Sequence, residues 1–138
     1  MSLYKKFKTD KKAEVEGIEL DFGDGVVFKV ARAGKSNPAF AEASRKRLKP
    51  WLFAIKTNTM SDEQANLVMV KVFADSVILG WEGVKDEAGK ELKFTHENVV
   101  KILTDLPDLF EDIKEYAEDK DSFNADTHGG VADTLGNS

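Results

Sequence analysis

Cysteine is absent from this 138-residue chain. Its lack excludes a disulfide framework and thiolate metal sites, and it fits a reducing compartment. Histidine is almost as scarce. His96 and His128 are the only two, and neither has a second histidine at ligand spacing or an obvious nucleophile beside it, so both read as solvent-exposed side chains. Long apolar runs are missing as well. The best candidate, residues 67–81, is interrupted by Lys71 and Asp75 and does not reach the roughly 18–20 residues of a membrane-spanning helix, so no membrane partner is expected. The first twelve residues hold five lysines with no apolar block or small-residue cleavage site behind them, which is not the pattern of a secretory signal and makes the cytosol the expected location.

What the chain has is 41% hydrophobic residues, enough for one ordinary core, and a charge that is unevenly divided. Residues 1–56 hold 13 Lys/Arg against 7 Asp/Glu, whereas residues 57–138 hold 7 against 18. Such polarity steers association with charged partners and suggests that copies associate with one another.

Apolar periodicity organises the chain as an α+β domain with an N-terminal β-hairpin packed on a mainly helical body and flexible ends. Residues 1–16, rich in lysine and glutamate, read as a basic flexible arm. Residues 17–120 form the single domain. Ile18, Leu20 and Phe22 alternate with Glu19 and Asp21, and Val26, Phe28 and Val30 repeat the period on the far side of Gly23-Asp24-Gly25, whose glycines permit a tight reversal. Asn37 is placed to cap a helix with Pro38 in its first turn, ending before Pro50. Residues 51–57 read equally as a helical turn or a strand. Ser61-Asp62-Glu63-Gln64 is a capping box, and the apolar residues from Leu67 to Ile78 then predict a helix apolar on nearly every side, with a strand over residues 68–73 as the alternative. Residues 82–93 form a polar loop with room for a second hairpin. Thr95 caps a helix, with Phe94 and Val99 at staple positions, and Pro107 restarts it. Leu106, Leu109, Phe110, Ile113 and Tyr116 line one face of that last helix and Asp108, Glu111, Asp112 and Glu115 the other. Residues 121–138 carry too few apolar groups to offset ordering entropy and read as a disordered tail.

Three segments approach known chemistry and stop short. Ala33-Gly34-Lys35-Ser36 resembles the end of a phosphate-binding loop, but Lys29 stands where that loop requires glycine. Asp119-Lys120-Asp121 opens like a calcium loop, yet Phe123 holds a ligand position, Asn124 the turn glycine's place and Gly130 that of the bidentate glutamate. Arg45-Lys46-Arg47-Leu48-Lys49-Pro50-Trp51 sets cations beside an indole, as nucleic-acid binding does, and Lys5 to Lys12 add to it. The acidic second half opposes that reading, and a solvated helix end accounts for the cations more simply. No catalytic residue, cofactor-binding residue or metal ligand is assigned, no cofactor is expected, and an enzyme is not.

The order Leu79-Gly80-Trp81-Glu82-Gly83-Val84, Asp86, Gly89, Phe94-Thr95-His96-Glu97-Asn98, then Val99-Val100-Lys101-Ile102-Leu103 and Leu106-Pro107-Asp108-Leu109-Phe110-Glu111-Asp112-Ile113 resembles the tail assembly chaperones of long-tailed bacteriophages. The resemblance extends over about half the chain, from residue 61 to about 123. It implies a protein of the host cytoplasm that binds the tape measure protein, keeps this long helical client soluble, helps recruit tail tube protein, and is absent from the mature virion. Many members of that family are made in two lengths by a programmed frameshift, and the composition of the tail from Asp121 prompts the hypothesis that such an extension begins there. The partner-binding surface is then expected among Leu67, Val70, Phe73, Trp81, Val84, Leu109, Phe110 and Ile113, apolar residues of the 61–79 and 106–116 helices and the loop at Trp81. The alternatives are a nucleic-acid-binding accessory protein and a minor structural tail protein.

Overall fold

The computed structural model describes residues 2–125; the expectations for His128 and for residues 126–138 lie outside it. An α+β fold is observed, with the hairpin at its N-terminal side and helices after it. Strands β1 (Ile18–Gly23) and β2 (Val26–Val30) pair antiparallel with Ile18 opposite Val30 and Leu20 opposite Phe28. Gly23, Asp24 and Gly25 all take positive φ, at 88°, 54° and 80°, so the reversal uses the left-handed conformations that glycine and aspartate tolerate best. Ile18, Leu20, Phe28 and Val30 are buried, as the period-two pattern requires.

A third strand, β3 (Ile78–Glu82), pairs antiparallel with β2 and completes the order β1-β2-β3. The sequence pattern had carried the preceding helix through Ile78. The helix instead ends at Ser76, whose hydroxyl donates back to the Val72 carbonyl at 2.7 Å. The Val77 carbonyl already accepts from the Ala31 amide at 2.8 Å. The open edge of β2 supplies the reason, because its unpaired amides and carbonyls are satisfied only by another strand.

Helix α3 (Pro38–Leu48) starts at Pro38, but Asn37 does not cap it through its side chain. Asn37 is buried and its amide donates to the Arg32 and Ser76 carbonyls at 3.0 and 3.3 Å, tying the strand exit to the end of the central helix. A 3-10 turn (Lys49–Trp51) leads into α4 (Leu52–Lys56), which settles the undecided segment as helical. The central helix α5 (Asp62–Ser76) opens with the expected capping box, Gln64 amide to Ser61 hydroxyl at 3.1 Å and Ser61 amide to Gln64 side chain at 3.0 Å. Residues 68–73 are therefore helical. Helix α6 (His96–Asp105) is capped by Thr95 at 3.1 Å, and α7 (Pro107–Glu118) follows the Pro107 restart.

The sheet's buried side chains meet Val70, Phe73, Val99, Leu103, Phe110, Ile113 and Ala117 from the helices in one core. Phe73 and Phe110 cross edge to face with centroids 5.1 Å apart. A smaller cluster, Ala43, Val68 and Val72 with Trp51 and Met60 against it, lies between α3 and α5.

Residues 3–16 and 121–125, which composition assigned to flexible ends, carry structure. Residues 3–16 form two short helices, α1 (Leu3–Phe7) and α2 (Lys11–Glu16). Residues 120–123 form a 3-10 turn that buries Phe123 completely. The two ends join through a bridge between Thr9 and Asn124, the Asp10 amide on the Phe123 carbonyl at 2.7 Å and the Ala125 amide on the Lys8 carbonyl at 2.9 Å. A buried ion pair explains the order. Glu14, 1% exposed, accepts from Arg32 at 2.9 Å and Thr9 at 2.6 Å, and also from the Ser36 hydroxyl. A few fully enclosed groups thus anchor segments whose average composition is polar.

Candidate protein-docking surface

The two most exposed large apolar residues outside the N-terminal helix, Phe53 and Leu52, lie on α4 together with Ile55. Leu52, Phe53 and Ile55 are 60%, 77% and 46% exposed. Pro50 forces the chain out of α3, and a single turn of helix follows before Asn58 reverses it at a positive φ of 55°. The Thr57 hydroxyl donates to the Phe53 carbonyl at 2.9 Å and closes that turn. Such a short helix has no second face to bury, so its apolar side chains point outward. Beside it, between the end of α3 and α5, lies a groove of about 390 Å³. Pro50, Trp51, Leu67 and Val68 supply its apolar wall, with Lys46, Arg47 and Lys71 as cations.

Among the described residues, Arg47 is the one cation of the groove held by a carboxylate. Its Nε and Nη2 reach Asp75 at 2.6 and 2.8 Å, a bidentate pair. The Nε2 atom of His96 lies 2.7 Å from the same carboxylate. A carboxylate only accepts, so that nitrogen carries a proton, and its 3.4 Å approach to Arg47 is a contact between two donors. His96 is solvent-exposed, as expected, and is held by this contact, with its cap residue Thr95 fixing the helix that presents it. Arg47's hydrogen bonds, opposed by burial and aided by those of His96, hold the Asp75 carboxyl below the usual carboxylate range.

Of the residues expected to bind a partner, Leu67 reaches this surface. Val70, Phe73, Val84, Phe110 and Ile113 are buried in the core and cannot meet a partner while the protein is folded. Leu109 is half-buried against the same core. Trp81 stacks edge to face between Phe28 and Phe94, at 5.6 and 5.4 Å, and its indole donates to the Leu92 carbonyl at 3.0 Å. It serves the sheet and pins the loop. The helices expected to have apolar surface left over keep little of it beyond Leu67 and Leu106, because the core takes up most of their apolar side chains. Leu52, Phe53 and Ile55 were missed, although a short apolar run between Pro50 and Asn58 was the available signal.

The two sequences close to ligand loops have structural duties. Ser36 is turned to Glu14, and Asp119 caps the 3-10 turn by accepting from the Asp121 amide at 2.9 Å. Among the described residues no group of three or more His, Asp and Glu is placed to hold a metal ion, and no helix is long and apolar enough to cross a membrane.

Fold and surface together define a small α+β protein with an outward apolar turn beside a cationic groove. Residues 35–137 match the family described as YdaY prophage protein, and the chain belongs to that family. The matched region begins just after the hairpin and takes in the whole groove. No curated protein and no solved structure matched the chain.

Proposed function

We propose that this prophage protein is a tail assembly chaperone whose client is the tape measure protein. The observation that carries the reading is the outward apolar turn, Leu52, Phe53 and Ile55, next to the groove of Trp51 and Leu67. A client with exposed helical stripes offers matching apolar side chains, and helix-in-groove recognition packs such a stripe against a surface of this kind. Single contacts of this size are weak. Repeated along a long client they give avidity, and each remains easy to displace when tail tube subunits arrive. The resemblance over residues 81–116 to tail assembly chaperones and the prophage family both support the reading.

Co-expression with the tape measure protein of the same prophage tests it. The account expects more soluble client with the intact chain, and a return to the client-alone level with Leu52→Ser/Phe53→Ser/Ile55→Ser.

The groove's cations favour one other reading. Lys46, Arg47 and Lys71 beside Trp51 are the components of a single-strand nucleic-acid site. Salt-sensitive retention on DNA or RNA columns, lost on Trp51→Ala/Lys71→Glu, would support it over the client reading.

A further inference from the structure

Two surface features unused by the chaperone reading lie side by side at the N-terminal end. The first is α1, where Leu3, Tyr4 and Phe7 are 74%, 81% and 52% exposed around an open concavity of about 700 Å³. Lys5, Lys6, Lys8 and Lys11 surround these side chains, all exposed and none in an ion pair among the described residues. The second is a groove of about 330 Å³ between β1 and α7. Leu20, Phe22 and Tyr116 form its apolar part and Asp21, Asp112, Glu115 and Asp119 its rim. None of these four carboxylates forms an ion pair among the described residues. One patch is therefore apolar with a cationic border, and the other apolar with an anionic border.

They adjoin. Lys120 places its ammonium 5.0 Å from the centre of the Phe7 ring, while Asp119, its neighbour in sequence, lines the acidic groove. Asn124 donates to the Lys5 and Lys6 carbonyls at 3.2 Å, which holds α1 against the segment that follows α7.

We propose that the α1 patch of one copy seats in the β1–α7 groove of a second copy, and reciprocally, forming a two-fold dimer. Charge complementarity selects the occupant: four lysines meet four carboxylates while the apolar side chains between them leave water. Adjacency selects the symmetry. When complementary patches lie next to each other, a two-fold axis between them satisfies both at once and closes the assembly, whereas patches on opposite faces would build open chains. The competing occupant of the α1 patch is the chain's own segment 126–138, which departs from Ala125 beside Lys8. The interface involves neither α4 nor the cationic groove, so its failure would leave the client reading intact.

Sedimentation velocity over a concentration series of the full chain tests the proposal with three variants. Lys5→Glu/Lys8→Glu alters the cationic border, Asp112→Lys/Glu115→Lys alters the anionic rim, and a deletion of residues 126–138 removes the competing segment. The expected results are a dimer for the intact chain and for the deletion, and at least about tenfold weaker dimerisation for each reversed variant alone. An equimolar mixture of the two reversed variants should recover the dimer, because each arm then meets a groove of opposite sign in both halves of the heterodimer. A monomer at every concentration would overturn the proposal. So would a dimer indifferent to both reversals, assemblies that grow beyond two copies, or a dimer that appears only after the deletion.

Discussion

Gly83 shows how a short motif can be structural in origin. Its φ is 73°, and a Cβ placed there would sit 2.2 Å from the Gly25 carbonyl oxygen, so the hairpin turn and the end of β3 approach as only glycine allows. Gly83→Ala is expected to cost about 2 kcal/mol or more, read as a lower urea midpoint at an unchanged slope. Trp81, two residues earlier, joins the sheet to the loop at Leu92, and so the Trp-Glu-Gly sequence that carries much of the family resemblance maintains the fold. Asp75 makes a second residue-scale case. Its folded-state pKa is depressed by Arg47, so its stabilising effect is complete above the ordinary carboxyl pKa of about 3.9 and is lost as pH falls through the lower folded value. At neutral pH Asp75→Asn should lower stability by about 1 kcal/mol, a modest figure because both partners are partly solvated. The gap between variant and parent should shrink below about pH 4, as followed by denaturation at stepped pH.

At the scale of elements, periodicity and capping chemistry placed the hairpin, α3, the capping box of α5, the Thr95 cap of α6 and the Pro107 restart of α7 where they are found. These features are local, and local residues encode them. β3 was illegible for the opposite reason: residues 78–82 become a strand only because β2 offers an edge, and the apolar pattern resumes at Val77 with no glycine or proline to mark the boundary. The order of residues 3–16 and 121–125 was illegible because composition averages over a segment while anchoring depends on single groups. Glu14 and Phe123 are such groups. Glu14→Ala leaves Arg32 with an uncompensated charge only 17% exposed and is expected to cost about 3 kcal/mol. Phe123→Ala is expected to cost about 3–4 kcal/mol. Hydrogen exchange should then show faster amides in α2 for either variant, where the Ala13 amide donates to the capping Asp10 carboxylate at 3.1 Å in the parent. The candidate site was partly legible. Leu67 and the cationic run before Trp51 were visible in the sequence, but most of the apolar residues chosen for a partner are those the core required.

For the molecule as a whole, separation of duties is the main result. One face of the sheet and the inner sides of α5, α6 and α7 fill the core, leaving outward apolar groups on the short helices α1 and α4. α4 is expected to be dispensable for stability: Leu52→Ser/Phe53→Ser/Ile55→Ser should unfold within about 0.5 kcal/mol per substitution of the parent, since exposed side chains contribute little to folding. That insensitivity makes α4 the surface on which function can be tested without disturbing the fold. The most direct measurement is the soluble fraction of the tape measure protein when co-expressed with the intact chain or with this α4 variant, each shown to be folded. The account predicts that the intact chain raises client solubility and the folded variant does not. Equal client solubility with the intact chain, the variant and no partner at all would contradict it.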